Sequence, residues 1–235
     1  MAQSFNSTTT YFLQEGKTNL YECLRLSFEV AIQHEVEKIV IFTGAGEGLR
    51  LAEEQFRSEE RYSGIRLVGV TFPQGKKFTT DKYAHQISSE DAKWFESRDI
   101  PIVRAHLPFD PIRPSYPGQG VLAQDSILIG NALGVFGGGM SLCIQAALMA
   151  CDAGEVEVGE HVIALAADTS ILVRCAPTAR LLTDLIVREI VCKPALLTIG
   201  KQEAANDDAE LPFDEPPMIE GNPEQNSPPE ADSPR

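Results

Sequence analysis

No two of the five cysteines, Cys23, Cys143, Cys151, Cys175 and Cys192, form a C-x-x-C pair, and most sit inside apolar runs. That pattern describes buried, reduced thiols, and no disulfide is expected. Histidine is equally sparse: His34, His85, His106 and His161 are scattered without metal-ligand spacing, so no metal site is expected. Lys and Arg together number 20 against 34 acids, and no basic stripe exists to neutralise phosphates, which excludes a nucleic-acid binder. The opening Met1–Thr10 is polar and Ser/Thr-rich with no apolar signal core, so it reads as a flexible N-terminus of a cytoplasmic protein. A nucleophile elbow is missing too. Ser141 follows Gly139-Met140 but lacks the second glycine and any assignable histidine, so a hydrolase is not expected.

Charge is absent from Ser126 to Cys151, a stretch long enough to test against a bilayer. Gly137-Gly138-Gly139 interrupts it in the middle, and Asn131, Ser141 and Gln145 would need partners in lipid. The reading is a pair of buried helices, 126–136 and 140–153, apolar all round and therefore deep in the core, with no membrane partner.

What is present is organised around Ile39-Val-Ile-Phe-Thr-Gly-Ala-Gly-Glu-Gly48. Four apolar residues suit a buried parallel strand, and three glycines in five positions make a corner into a helix-prone segment. Such a corner can bind anions, because the first helical N–H groups lack intrahelical partners. The spacing Gly44, Gly46, Gly48 matches neither the dinucleotide fingerprint nor a Walker loop. The alternative is a crowded turn that needs glycine for geometry alone.

Upstream, Thr18 is the expected N-cap of a helix to about Glu37, with Leu20, Leu24, Phe28 and Ala31 on one stripe. Strand 38–43 is followed by a helix to about Glu59 and a strand over 66–71, a β-α-β order that makes the two strands parallel. Both loops then emerge at the carboxyl edge, where open α/β sheets place ligands. Ser88 with Asp91 marks the start of a helix carrying Trp94 and Phe95, and 100–103 is a third strand ending at Arg104 and His106. The proline-rich stretch 107–120 is an ordered connector. Strands 159–166 and 170–175 are separated by three residues and must be antiparallel. Residues 180–192 are expected to be an amphipathic helix. Residues 201–235 hold ten acids and seven prolines and carry −8 of the net charge of −14; they read as a disordered tail.

Several segments together resemble the stand-alone relatives of the pyruvate kinase C-terminal alpha/beta domain, uncharacterised proteins of archaea and bacteria. These are Tyr11-Phe12 with Gly16-Lys17-Thr18, Ile39 to Gly48, Phe136-Gly-Gly-Gly-Met140, Ala146 to Gly154 with Val158 to Ile163, and Asp184 to Val191 before Pro194. The resemblance covers about residues 11–194, and the domain is taken as 11–200. It implies a three-layer α/β/α domain with a five-stranded mixed sheet whose last strand is antiparallel. It also implies no pyruvate kinase activity, since no catalytic barrel precedes the domain. By analogy a phosphate would be cradled by Thr43, Gly44, Ala45, Gly46, Glu47 and Gly48, with Thr71, Phe72, Gly75, Gly137, Gly138 and Gly139 lining the rest. The implied ligand is a phosphorylated small molecule: flavin mononucleotide (FMN), a nucleotide or a sugar phosphate. Two departures stand out. Leu165-Ala-Ala-Asp-Thr169 lacks most of a glycine-rich family segment, and Gly44-Ala45 replaces hydroxyl residues, leaving backbone N–H groups as the donors.

Three functions follow as expectations. The first is a sensing or regulatory binding module for that ligand. The second is a small enzyme acting on a phosphorylated metabolite through His106 and Arg104, close to Asp110. The third is a homo-oligomeric scaffold whose acidic tail recruits a basic partner.

Overall fold

The strand Ile39-Val-Ile-Phe42 is buried on both faces, and its side chains alternate between two hydrophobic clusters. Val40 and Phe42 join one cluster, Ile39 and Ile41 the other, as the two-residue period of a strand requires. A strand with apolar residues on both faces must be covered on both, so the domain has three layers. The computed structural model describes residues 6–75, 86–110 and 124–195. Its strands are β1 (Thr10–Phe12), β2 (Lys38–Phe42), β3 (Arg66–Thr71), β4 (Ile102–Arg104), β5 (His161–Leu165), β6 (Ser170–Arg174) and β7 (Ile186–Pro194). The helices are α1 (Leu20–Gln33), α2 (Glu47–Leu51), α3 (Ser89–Glu96), α4 (Gln124–Leu133), α5 (Gly138–Asp152) and α6 (Leu181–Asp184).

The fold is the expected α/β class, but among the described residues the sheet has seven strands rather than five, in the order β1-β7-β6-β5-β2-β3-β4. β2 pairs in parallel with β3 and β5, β3 with β4, and β1 with β7. β6 is antiparallel to both of its neighbours, so the reversed strand is the expected one, but it is internal and not the last. The two added strands lie at the β1–β7 edge. The helix expected over 180–192 is confined to a 3-10 turn, Thr178–Arg180, and α6, after which the chain becomes β7. Ile186, Val187, Ile190 and Val191 are β-branched, which favours a pleated strand, and β6 offers a ladder for them to pair with.

Helix α1 buries Cys23, Leu24, Ser27, Phe28 and Ala31, one stripe at helical spacing, against one face of the sheet. Its start also differs from expectation. Thr18 lies inside a 3-10 turn, Lys17–Asn19, and no side chain caps α1. α2 passes into a π-helical turn, Ala52–Arg57, which carries Phe56 inward. α3 starts as its sequence indicates: the Asp91 N–H donates to Ser88 Oγ at 3.0 Å, and Ser88 Oγ donates to Asp91 Oδ2 at 2.8 Å. Arg50, and after it Ser88, hold the Asp91 carboxyl below its usual value.

α5 covers the opposite face, and Cys143, Ala146, Ala147, Leu148 and Ala150 on it are fully buried. α4 departs from expectation. Leu128 on α4 is 68% exposed and Val135 just beyond it 74%, so only α5 of the apolar pair is deep in the core. Gly134–Phe136 forms a 3-10 turn that separates the two helices, and among the described residues no helix is long and apolar enough to cross a membrane. The expectations for His85, for residues 111–120 of the connector and for the tail 201–235 fall outside the described residues.

Tyr62 has no exposed surface, and its hydroxyl donates to Glu29 Oε1 at 2.8 Å. Burial first, then the Glu29 carboxylate, raises its pKa to about 12 from 10. The folded state therefore holds this proton when the unfolded chain has lost it. The stabilisation is complete below pH 10 and is lost as pH rises through about 12. Urea unfolding of the wild type and of Tyr62→Phe, compared at pH 9 and pH 11.5, should show the wild type losing more stability on going alkaline. Parallel losses would remove Tyr62 from the effect.

Candidate functional site

Because β2, β3, β4 and β5 run in parallel, the residues after each of them gather at one edge of the sheet. The glycine corner after β2 is built by its own side chains. The Gly46 N–H donates to Thr43 Oγ1 at 3.0 Å, and Thr71 Oγ1, from the end of β3, donates to the Gly44 carbonyl at 3.2 Å. Thr43 and Thr71 are both buried, so these hydroxyls brace the loop. Gly46 adopts φ 101°, and a Cβ there would lie 3.0 Å from the Phe95 ring, so this glycine meets both a backbone and a packing requirement.

A pocket of about 130 Å³ opens beside the corner. Thr43, Gly44, Glu47 and Gly48 line it from the loop, Ala166 and Ala167 from the end of β5, and Leu142 from α5. Lys17 also lines it, and its ammonium pairs with Glu47 Oε1 at 2.8 Å. Both side chains are about half exposed, so the pair sits in contact with solvent.

The structure assembles only part of the expected set. Thr43, Gly44, Glu47 and Gly48 line the pocket; Ala45 and Gly46 belong to the same turn without lining it. Thr71 holds the turn from behind. Phe72 packs edge-on against Phe42 with ring centroids 5.0 Å apart, and Gly75 forms a turn at φ 78°; neither lines the pocket. Gly137 and Gly138 open α5 with Gly137 at φ 110°, and Gly139 packs against the β5–β6 link. A Cβ on Gly139 would lie 2.2 Å from Thr169 Oγ1 and 2.9 Å from Asp168 Oδ1. This helix start therefore faces a carboxylate of the chain itself, and Asp168 Oδ2 also accepts the Gly16 N–H at 2.7 Å. An anion there would meet like charge.

Lys17, Leu20, Phe42, Leu142, Ala166 and Ala167 are the lining residues that sequence reasoning left out. Lys17 had a signal, since it stands in the Gly16-Lys17-Thr18 segment; the alanines had none. Arg104, His106 and Asp110 follow one another at the carboxyl end of β4. His106 Nε2 is 3.0 Å from the Asp110 backbone carbonyl, and Arg104 Nη2 donates to the Ile87 carbonyl at 3.4 Å. Neither residue lines the pocket.

A larger cavity, about 570 Å³, lies at the opposite edge, around the starts of β2 and β5. Glu35, Glu37, Glu160 and Glu189 line it, with Arg188, His34 and His161. Four carboxylates against one arginine disfavour a phosphorylated ligand, whatever the volume.

No protein-family model matches the chain. Among solved structures it is similar to Cryptosporidium parvum pyruvate kinase, with 14% identity over 69% of this chain and a TM-score of 0.33. The same enzyme in complex with ADP matches with 14% identity over 67% of this chain and a TM-score of 0.32. The chain spans 24% of the length of each of those proteins.

Proposed function

We propose that this chain, as a relative of the pyruvate kinase C-terminal alpha/beta domain without pyruvate kinase activity, is a sensing or regulatory module. It binds the phosphate group of a small molecule, such as FMN, a nucleotide or a sugar phosphate, at the glycine corner. The observation that carries this reading is Lys17, whose ammonium stands at the lip of a pocket lined by Gly44 and Gly48. At about 130 Å³ the pocket suits a phosphate group; a whole drug-sized ligand takes roughly 300 Å³ or more, so the remainder of the molecule would lie over the rim. Loop N–H groups and the Lys17 charge are the donors, and Glu47 is the opposing term.

Thermal shift assays with FMN, nucleotides and sugar phosphates test the proposal. At 100 times its Kd a ligand of the folded state stabilises by about 2.7 kcal/mol, a readily measured rise in Tm. Lys17→Ala should abolish the shift, and Glu47→Gln, which removes the competing carboxylate, should bring it on at lower ligand concentration. If no phosphorylated compound at saturation raises the Tm of the wild type, the proposal falls. The visible absorption of freshly purified protein reports separately on a retained flavin.

A further inference from the structure

Two thiols meet in the core. Cys23 lies in the first turn of α1 and Cys192 near the end of β7, and their Sγ atoms are 3.5 Å apart although the residues are separated by 169 positions. Neither has any exposed surface, and both belong to the cluster between α1 and the sheet. Both are free thiols in this structure, as are the other three cysteines. Cys143 packs in the other cluster and donates to the Thr169 carbonyl at 3.2 Å.

We propose that Cys23 and Cys192 are a reversible disulfide site that staples α1 to β7 under oxidising conditions. The sulfurs need to approach by only about 1.5 Å to reach a bonded separation of about 2.05 Å, a movement that side-chain rotation can supply. With a peroxide as oxidant, one thiolate attacks a peroxide oxygen and the O–O bond breaks. This gives a sulfenic acid and a hydroxide that takes up a proton. The second thiolate attacks the sulfenic sulfur, the S–S bond forms, the S–O bond breaks, and the departing hydroxide is protonated. Two thiols and one hydrogen peroxide become one disulfide and two waters. A small thiol reverses the bond by exchange.

The neighbouring Cys192 thiol, with burial, pushes the Cys23 thiol well above its usual range, which slows its oxidation at neutral pH. The staple joins the first long helix to the last strand, so it closes a loop spanning most of the folded domain and restricts the unfolded chain strongly. It also removes the Cys23 thiol from the Ala166 carbonyl, which it meets at 3.6 Å. The proposal stands whether or not the neighbouring pocket takes a phosphate.

The test uses the full chain, purified under reductant and then exposed to hydrogen peroxide. Peptide mapping without reduction should show the Cys23 and Cys192 peptides joined, about 2 Da lighter than the two reduced peptides together. The Tm should rise by about 10 °C and return with dithiothreitol, and the reaction should quicken from pH 7 to pH 9. Cys192→Ala should lose both the linked peptide and the rise, while Cys151→Ala keeps them. If Cys192→Ala does not fold, the wild-type map decides. Loss of titratable thiols without a Cys23–Cys192 peptide, or a linked peptide with no rise in Tm, overturns the proposal.

Discussion

Replacing Gly139 by alanine is expected to destabilise the domain by about 3 kcal/mol, although alanine is the better helix former by roughly 1 kcal/mol. The added Cβ would lie 2.2 Å from Thr169 Oγ1 and 2.6 Å from Thr169 Cβ. Turning the threonine side chain moves the oxygen away but leaves its Cβ in place. Thr169 is also fully buried in the four-residue link between β5 and β6, so its backbone has little room to retreat. Chemical denaturation should show the loss as a lower midpoint at an unchanged slope. Gly134→Ala, where a Cβ meets nothing within 4 Å, serves as the control and should change stability by less than about 0.5 kcal/mol. Combining Gly139→Ala with Thr169→Gly removes the clashing Cβ, so the two costs should sum to more than the double mutant shows. A neutral Gly139→Ala would mean that the α5–turn contact is looser than described, and would reopen a ligand role for this glycine.

The second large effect is expected at Phe28. This ring has no exposed surface, stacks on Phe56 with centroids 5.1 Å apart and 15° between planes, and tilts against Tyr62 at 5.0 Å. The three rings tie α1 to the π-helical turn after α2 and to the turn that leads into β3. Truncation to alanine removes a large apolar surface and leaves a cavity whose walls belong to separate elements, so the site cannot collapse easily. The expected cost is about 4 kcal/mol, or roughly 8–16 °C in Tm for a domain of this size. Phe28→Leu keeps most of the volume and should cost about 1.5 kcal/mol. A loss below 1 kcal/mol for the alanine variant would contradict the packing described.

How far the fold could be read from the chain depended on how local the signal was. β3 was legible at its observed bounds because five of its six residues are buried and its connection to β2 is a helical crossover. The β5–β6 hairpin was legible because a link of three expected residues, four in the structure, cannot carry a crossover. The Ser88 cap was legible because the box lies within four residues. β7 was not: the spacing of Leu181, Leu185 and Ile186 imitates a helix, and only the open edge of β6 makes the strand the better partner. β1, three residues long, has no signal apart from its pairing with β7.

The candidate site divides in the same way. The corner at Thr43 to Gly48 could be located from strand, glycines and helix alone, because all three are local. Lys17, Ala166 and Ala167 join it only through tertiary structure, from segments remote in sequence. Gly139 turns elsewhere for the converse reason. The family resemblance puts it in the lining of the ligand site, yet in the folded chain Gly139 meets Asp168 and Thr169.

The sequence by itself determined the parallel core of the sheet, the reversed strand and the place of the glycine corner, since apolar runs, helical stripes and link length act over a few residues; the three layers were implied by the family resemblance. Tertiary structure alone decided the two added strands, the exposure of α4, the Lys17–Glu47 pair and the contact of Cys23 with Cys192. Each of these depends on which surface a segment finds when the whole chain packs, and no local pattern encodes a partner remote in sequence.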